Sequence, residues 1–200
     1  MPFQDFRAFL NALKKAGELI EVDRPVSPML ELAKAMRKSA AVSGPAVIFK
    51  DNGTEFPLVG GVYNTRSKAL IALEATEQNV FDKVLRGMAA RIPPVVVTDA
   101  PVHENVLTGD AINLSKIPVA KYSPDDGGPY ITAEIIVSKN PETGIPDIGH
   151  YRFEGHRQAD LQLPCAAEPS FRSEHGDGAS LRANDISWGA VDRHGSGHGL

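Results

Sequence analysis

Over the first hundred residues the spacing of apolar side chains switches repeatedly between the helical and the strand period. A chain patterned in that way buries its apolar stripes by laying helices on a sheet, so an α/β layer domain is expected. Asp5 is a fair N-cap, Phe6, Phe9, Leu10 and Leu13 follow at helical spacing, and Gly17 supplies a stop. These features predict a helix over residues 5–16. Leu19–Val22 reads as a short strand, and Pro28 opens a second helix to about Ser39 with Leu32 and Met36 on its inner side. Ala46–Phe49 and Leu58–Tyr63 read as strands parted by an Asp51-Asn52-Gly53 turn. Thr65–Leu73 and Val80–Ala90 read as helices, and Val95-Val96-Val97 as a buried strand. The Gly60-Gly61 pair fits a tight strand or turn.

From about residue 105 the pattern changes. Ile117-Pro118-Val119 and Ser123–Pro129 are loop-like, while Tyr130–Lys139 is rich in β-branched residues. A turn over Asn140–Pro146 leads into a second strand, Asp147–Phe153, which suggests an antiparallel pair opening a mainly β domain. After Gly155 periodic patterning disappears. Four of the six histidines and seven glycines fall in residues 155–200, and no lysine follows Lys139. The expected organisation is an α/β domain at 1–104, the start of a β domain at 105–154, and an irregular tail at 155–200.

Composition removes several classes of function. With 21 Lys+Arg against 25 Asp+Glu the chain carries a formal charge of −4, which offers no basic stripe for a nucleic acid. Hydrophobic residues make up 42%, enough to bury a core, yet no apolar run reaches the roughly 20 residues of a membrane helix. Cys165 is the sole cysteine, so neither an internal disulfide nor a cysteine zinc site can form. Residues 1–15 lack a signal-peptide core, and a cytoplasmic location is the default expectation.

Few residues announce a mechanism by themselves. There is no phosphate loop of Walker or Rossmann spacing and no Gly-x-Ser-x-Gly elbow. Asp125-Asp126-Gly127-Gly128 could meet a cation or a phosphate, but a polar turn explains it as well. His194 and His198 have metal-like spacing in a glycine-rich setting without helical pattern. The segment Asp147–Arg152 is richer. On one continuous strand Asp147, Gly149 and Tyr151 would share one face, and Ile148, His150 and Arg152 the other. A carboxylate at one end and a guanidinium at the other could hold a cation and an anion, or simply form a surface ion pair.

Several stretches resemble the UbiD family of reversible decarboxylases, which use prenylated flavin. The residues that carry the resemblance are Asp5–Leu10 with Lys15–Leu19, Gly44–Phe49, Asn105–Asp110, Ile117-Pro118, Ser123–Thr132 and Pro141–Gly144. The family motif Asn-x-Gly-x-Tyr-Arg falls on Asp147–Arg152, with aspartate in place of asparagine. The resemblance implies that Asp147 ligates Mn²⁺ or Mg²⁺, hard cations suited to a carboxylate, with K⁺ a further candidate ion. It implies that His150, Tyr151 and Arg152 line prenylated FMN, and that Arg152 is the catalytic group facing the substrate carboxylate. It also implies a split β-barrel flavin domain. The expected reaction is loss of CO₂ from an aromatic or α,β-unsaturated acid, and Asp147 tilts the choice towards hydroxybenzoates. A flavin prenyltransferase would supply the cofactor, and the full-length form would be a homo-oligomer.

By eye, the resemblance ends near Glu154. Written as degenerate codons and advanced by one base, residues 158–163 are compatible with Lys-Gln-Thr-Phe-Ser-Phe, and residues 168–172 with Asn-His-Arg-Phe-Gly. Both suit the family, so the tail is expected to be a frameshift, in which the four tail histidines, Cys165 and Trp188 are incidental. An open barrel would leave strand edges unpaired, and negligible turnover is expected of the chain by itself. Two other readings stay open: a non-catalytic fragment or interaction module docking on a full-length homologue, and a split-barrel flavin reductase.

Overall fold

The computed structural model describes residues 3–90, 92–93, 95–139, 143–144, 146–150, 152–157, 160–162 and 180–182. The chain divides into two units. Among the described residues, one takes in those up to Val26 and Lys34–Val106, and the other takes in Ser27–Ala33 and those between Leu107 and Trp188.

The first unit is a small mixed sheet with helices. Helix α1 spans Phe6–Lys15, and the Asp5 carboxylate accepts from the Ala8 N–H at 2.7 Å. It ends in a Schellman motif: Gly17 sits at φ +73°, Gly17 N–H donates to Lys14 O, and Glu18 N–H donates to Leu13 O. Strand β1 (Leu19–Val22) pairs in parallel with β2 (Ala46–Phe49), which pairs antiparallel with β3 (Leu58–Gly60). Phe9, Leu10, Leu13, Leu19 and Ala46 form the buried cluster, with Ile48, Val59 and Ile71 packed against it. Helix α2 (Glu31–Ala41) follows β1, and α3 (Arg66–Ala72) follows β3 with Thr65 as its N-cap. Lys68 of α3 is fully buried and donates to Gly44 O at 2.5 Å.

Three expectations change here. The second helix begins at Glu31, not at Pro28. Pro28–Leu30 form a turn bridged to Lys121 instead: Lys121 N–H donates to Pro28 O, Leu30 N–H donates to Lys121 O, and Leu30 lies at φ +70°. The third strand stops at Gly60, since Gly61 turns out of the sheet at φ +76°. The valine run at 95–97 is neither strand nor core: these residues are 82%, 95% and 60% exposed. An apolar run forms a strand only where a neighbouring ladder accepts it, and among the described residues none runs alongside this one. Helix α4 (Val80–Ala89) forms as expected but buries none of its residues.

In the second unit, 3₁₀ turns at Gly109–Ala111 and Leu114–Lys116 precede the strands. The Tyr130–Lys139 run splits into β4 (Tyr130–Ile131) and β5 (Ile136–Lys139). The expected second strand splits likewise into β6 (Pro146–Gly149) and β7 (Phe153–Arg157). β5 and β6 form an antiparallel pair, as the turn between them suggests. β4 pairs instead with β7, which continues to β8 (Asp160–Gln162) and β9 (Ser180–Arg182). Short strands therefore fall within residues 155–200, where an irregular tail is expected. The other tail residues, with His175, His194, His198, Cys165 and Trp188, lie outside the described ones.

Candidate functional site

The split strands decide what the Asp147–Arg152 segment can do. β6 ends at Gly149 and β7 begins at Phe153, and the two strands belong to different sheets. The two-faced alternation expected of one continuous strand therefore stops at Gly149. Backbone pairing places Asp147 opposite Ser138 on β5. The Asp147 side chain and all of Tyr151 lie outside the described residues. His150 is exposed.

Arg152 is the segment's best-defined group. Its side chain is exposed, and its guanidinium carbon stands 5.2 Å from the centre of the Tyr130 ring. An arginine over an aromatic face is held by the ring quadrupole while its N–H donors stay available. Tyr130 is itself fixed. Its N–H donates to Ala120 O at 3.0 Å, its backbone pairs with Glu154, and its hydroxyl donates to Glu154 Oε2 at 3.1 Å. Burial, then the Glu154 carboxylate, push the Tyr130 phenol upward, so it remains a donor at neutral pH. Phe153, the first residue of β7, and Ala120, bridged to Tyr130, are both buried.

The turn before β4 is spent on its own backbone. Asp126 Oδ2 accepts from the N–H of Tyr122 at 3.2 Å and of Ser123 at 2.7 Å. The carboxylate closes the turn back onto N–H groups four and three residues earlier, so Asp126 is a turn residue rather than a free ligand. Tyr122 and Thr132 share a hydroxyl hydrogen bond of 3.0 Å.

Glu134 lies in the break between β4 and β5. Neither of its carboxylate oxygens has a hydrogen-bond partner among the described residues, and burial pushes it up to about 7. Sequence reasoning passed over Tyr130, Glu134 and Glu154. The one visible signal is Glu134, the lone charge in the stretch from Tyr130 to Val137. The pairing of Tyr130 with Glu154 depends on the register of two strands that are not consecutive, which no local pattern reveals.

A metal centre needs several convergent ligands. No group of three His, Cys, Asp or Glu gathers among the described residues. A single carboxylate such as that of Asp147 would not by itself make a metal centre. For an anionic cofactor or substrate the fit is better, because an exposed guanidinium with a fixed base suits a phosphate or a carboxylate.

Residues 10–88 match the 3-octaprenyl-4-hydroxybenzoate carboxy-lyase N-terminal domain, and residues 95–176 match the Rift-related domain of the same carboxy-lyase. The chain belongs to the UbiD family. The second match runs to residue 176, past the point near Glu154 where the resemblance by eye ends. Among curated relatives, an uncharacterized protein of Aquifex aeolicus is 30% identical over 177 residues, covering 76% of this chain and 36% of its own. One of Chlamydia trachomatis is 26% identical over 194 residues, covering 86% of this chain and 32% of its own. The chain thus spans about a third of the length of these relatives.

Solved structures agree on the fold. The closed form of Sedimentibacter hydroxybenzoicus vanillic acid decarboxylase superposes with a TM-score of 0.78 at 28% identity, covering 86% of this chain and 39% of that one. An evolved dimeric form of the UbiD-class enzyme HmfF from Pelotomaculum thermopropionicum, in complex with prFMN, gives 0.78 at 23% identity, covering 87% and 41%. A 3,4-dihydroxybenzoic acid decarboxylase from Enterobacter cloacae, solved in apo form, gives 0.77 at 24% identity, covering 88% and 39%.

Proposed function

We propose that this chain carries the N-terminal part of a non-oxidative, reversible aromatic acid decarboxylase, acting on a hydroxybenzoate or an α,β-unsaturated acid. The observation that carries this reading is the exposed Arg152 guanidinium on the Tyr130 ring, inside the segment matched to the carboxy-lyase Rift-related domain. The chemistry explains the need for such a group. Breaking the bond to CO₂ leaves an electron pair on an sp² carbon, and prenylated FMN, when bound, supplies the sink for it. Arg152 orients the acid by bonding its carboxylate through the guanidinium fork, which sets the angle of the bond to be broken. His150 and Tyr151 border the cofactor, and Asp147 contributes a hard oxygen ligand to Mn²⁺ or Mg²⁺, with K⁺ as a further ion.

In this reading β4–β9 are the opening strands of a split-barrel flavin domain beginning at about residue 105, with residues 1–104 as the α/β domain before it. The working protein is a homo-oligomer in the cytoplasm and takes its cofactor from a flavin prenyltransferase. No helix among the described residues is long and apolar enough to cross a membrane, which agrees with that setting.

Calorimetric titration with 4-hydroxybenzoate and with cinnamate tests the reading. The wild-type chain is expected to bind the hydroxybenzoate more tightly, and Arg152→Ala to weaken it by about tenfold, the loss of one charge-assisted hydrogen-bonded contact. Equal affinity in the two proteins would remove Arg152 from the site.

A second reading is an interaction module that docks on a full-length homologue. One observation favours it: Phe81, Leu85 and Met88 of α4 are 74%, 61% and 71% exposed, an apolar face that no described element covers.

A further inference from the structure

Arg152 is on the surface, and a long exposed side chain ordinarily samples many rotamers. Here four observations converge on it from a different strand. β4 and β7 pair so that Tyr130 stands opposite Glu154 and Ile131 opposite Phe153. Arg152 immediately precedes β7, two positions before Glu154, and both side chains meet Tyr130. The Tyr130 hydroxyl donates to Glu154 Oε2 at 3.1 Å while its ring lies 5.2 Å from the Arg152 guanidinium carbon. Gly127 makes room for this: a Cβ there would overlap Glu154 Oε1.

We infer that Glu154 and Tyr130 are positioning residues for Arg152: the carboxylate fixes the phenol, and the fixed ring face seats the guanidinium so that it is pre-aimed at an incoming carboxylate. The inference rests on the proposed role of Arg152 in binding the acid, and it adds two residues that act through it. The energetic logic is preorganisation. Restricting the arginine before the ligand arrives lowers the ordering cost that binding must otherwise meet. The contact also explains why the ring is held at both ends, by Ala120 through the backbone and by Glu154 through the hydroxyl.

The test has two arms on the full 200-residue chain. In the first, the Arg152 side-chain N–H and Cδ–H resonances are assigned by NMR without ligand. Ring-current shielding is expected in wild type and in Glu154→Gln, which keeps a hydrogen-bond acceptor. It is expected to be reduced in Tyr130→Phe and lost in Tyr130→Leu. Unshielded resonances in wild type, or shielding that survives Tyr130→Leu, would overturn the inference whatever the ligand does. In the second arm, affinities for 4-hydroxybenzoate and for phenol are compared. Tyr130→Leu is expected to weaken the acid about threefold to fivefold, the scale of an exposed cation–π contact, and to leave phenol unchanged. Equal loss for both ligands would mean a general structural role and would overturn the positioning claim. Absence of acid binding in wild type, with shielding intact, would instead overturn the proposed function alone.

Discussion

Glu134 shows how one residue can set a pH response. Burial, with no hydrogen-bond partner for the carboxylate among the described residues, holds its carboxyl at about 7, well above the ordinary 4.5 of an unfolded glutamate. The folded state therefore binds this proton more tightly than the unfolded state. Its contribution is complete below pH 4.5 and is lost as pH rises through 7. Urea denaturation of the wild type should show a midpoint that falls between pH 5 and pH 8 relative to that of Glu134→Gln. Parallel profiles for the two proteins would show that Glu134 is paired in solution. The position was open to sequence reading only as an anomaly, a lone acid among Ile131, Ile135, Ile136 and Val137. Its burial follows from the break between β4 and β5, which the β-branched run conceals.

The bounds of β1 and β2 were legible outright, and those of α4 to within a residue. α1 and α3 sit between side-chain N-caps and their C-terminal turns, within a residue of expectation. The failures share a cause. Tertiary partners, not local propensity, broke the run at Tyr130–Lys139 and tied the turn at Pro28–Leu30 to Lys121, and among the described residues no strand runs beside Val95–Val97. Gly60 is a case where local and tertiary demands coincide. It ends β3, and a Cβ there would overlap the Met36 sulfur of α2. Gly60→Ala should destabilise the chain by about 1–3 kcal/mol through overpacking, measured by thermal denaturation. Adding Met36→Ala should relieve part of that cost, because the flexible thioether is what the new methyl meets. A Gly60→Ala protein as stable as wild type would show that α2 yields freely.

At the scale of the whole chain, two domain matches spanning residues 10–88 and 95–176 carry the family assignment. The candidate site was legible as a motif, Asp147–Arg152, because its residue types and spacing survive in sequence. Its geometry was not, since β6 and β7 belong to different sheets. What the motif holds can be read directly from the protein's colour and mass. The chain is co-produced with a flavin prenyltransferase, purified, and examined by absorbance and mass spectrometry, beside Arg152→Ala. The account predicts prenylated FMN on the wild-type chain and less of it on the variant. A colourless wild-type chain, or one carrying unmodified flavin, would contradict it.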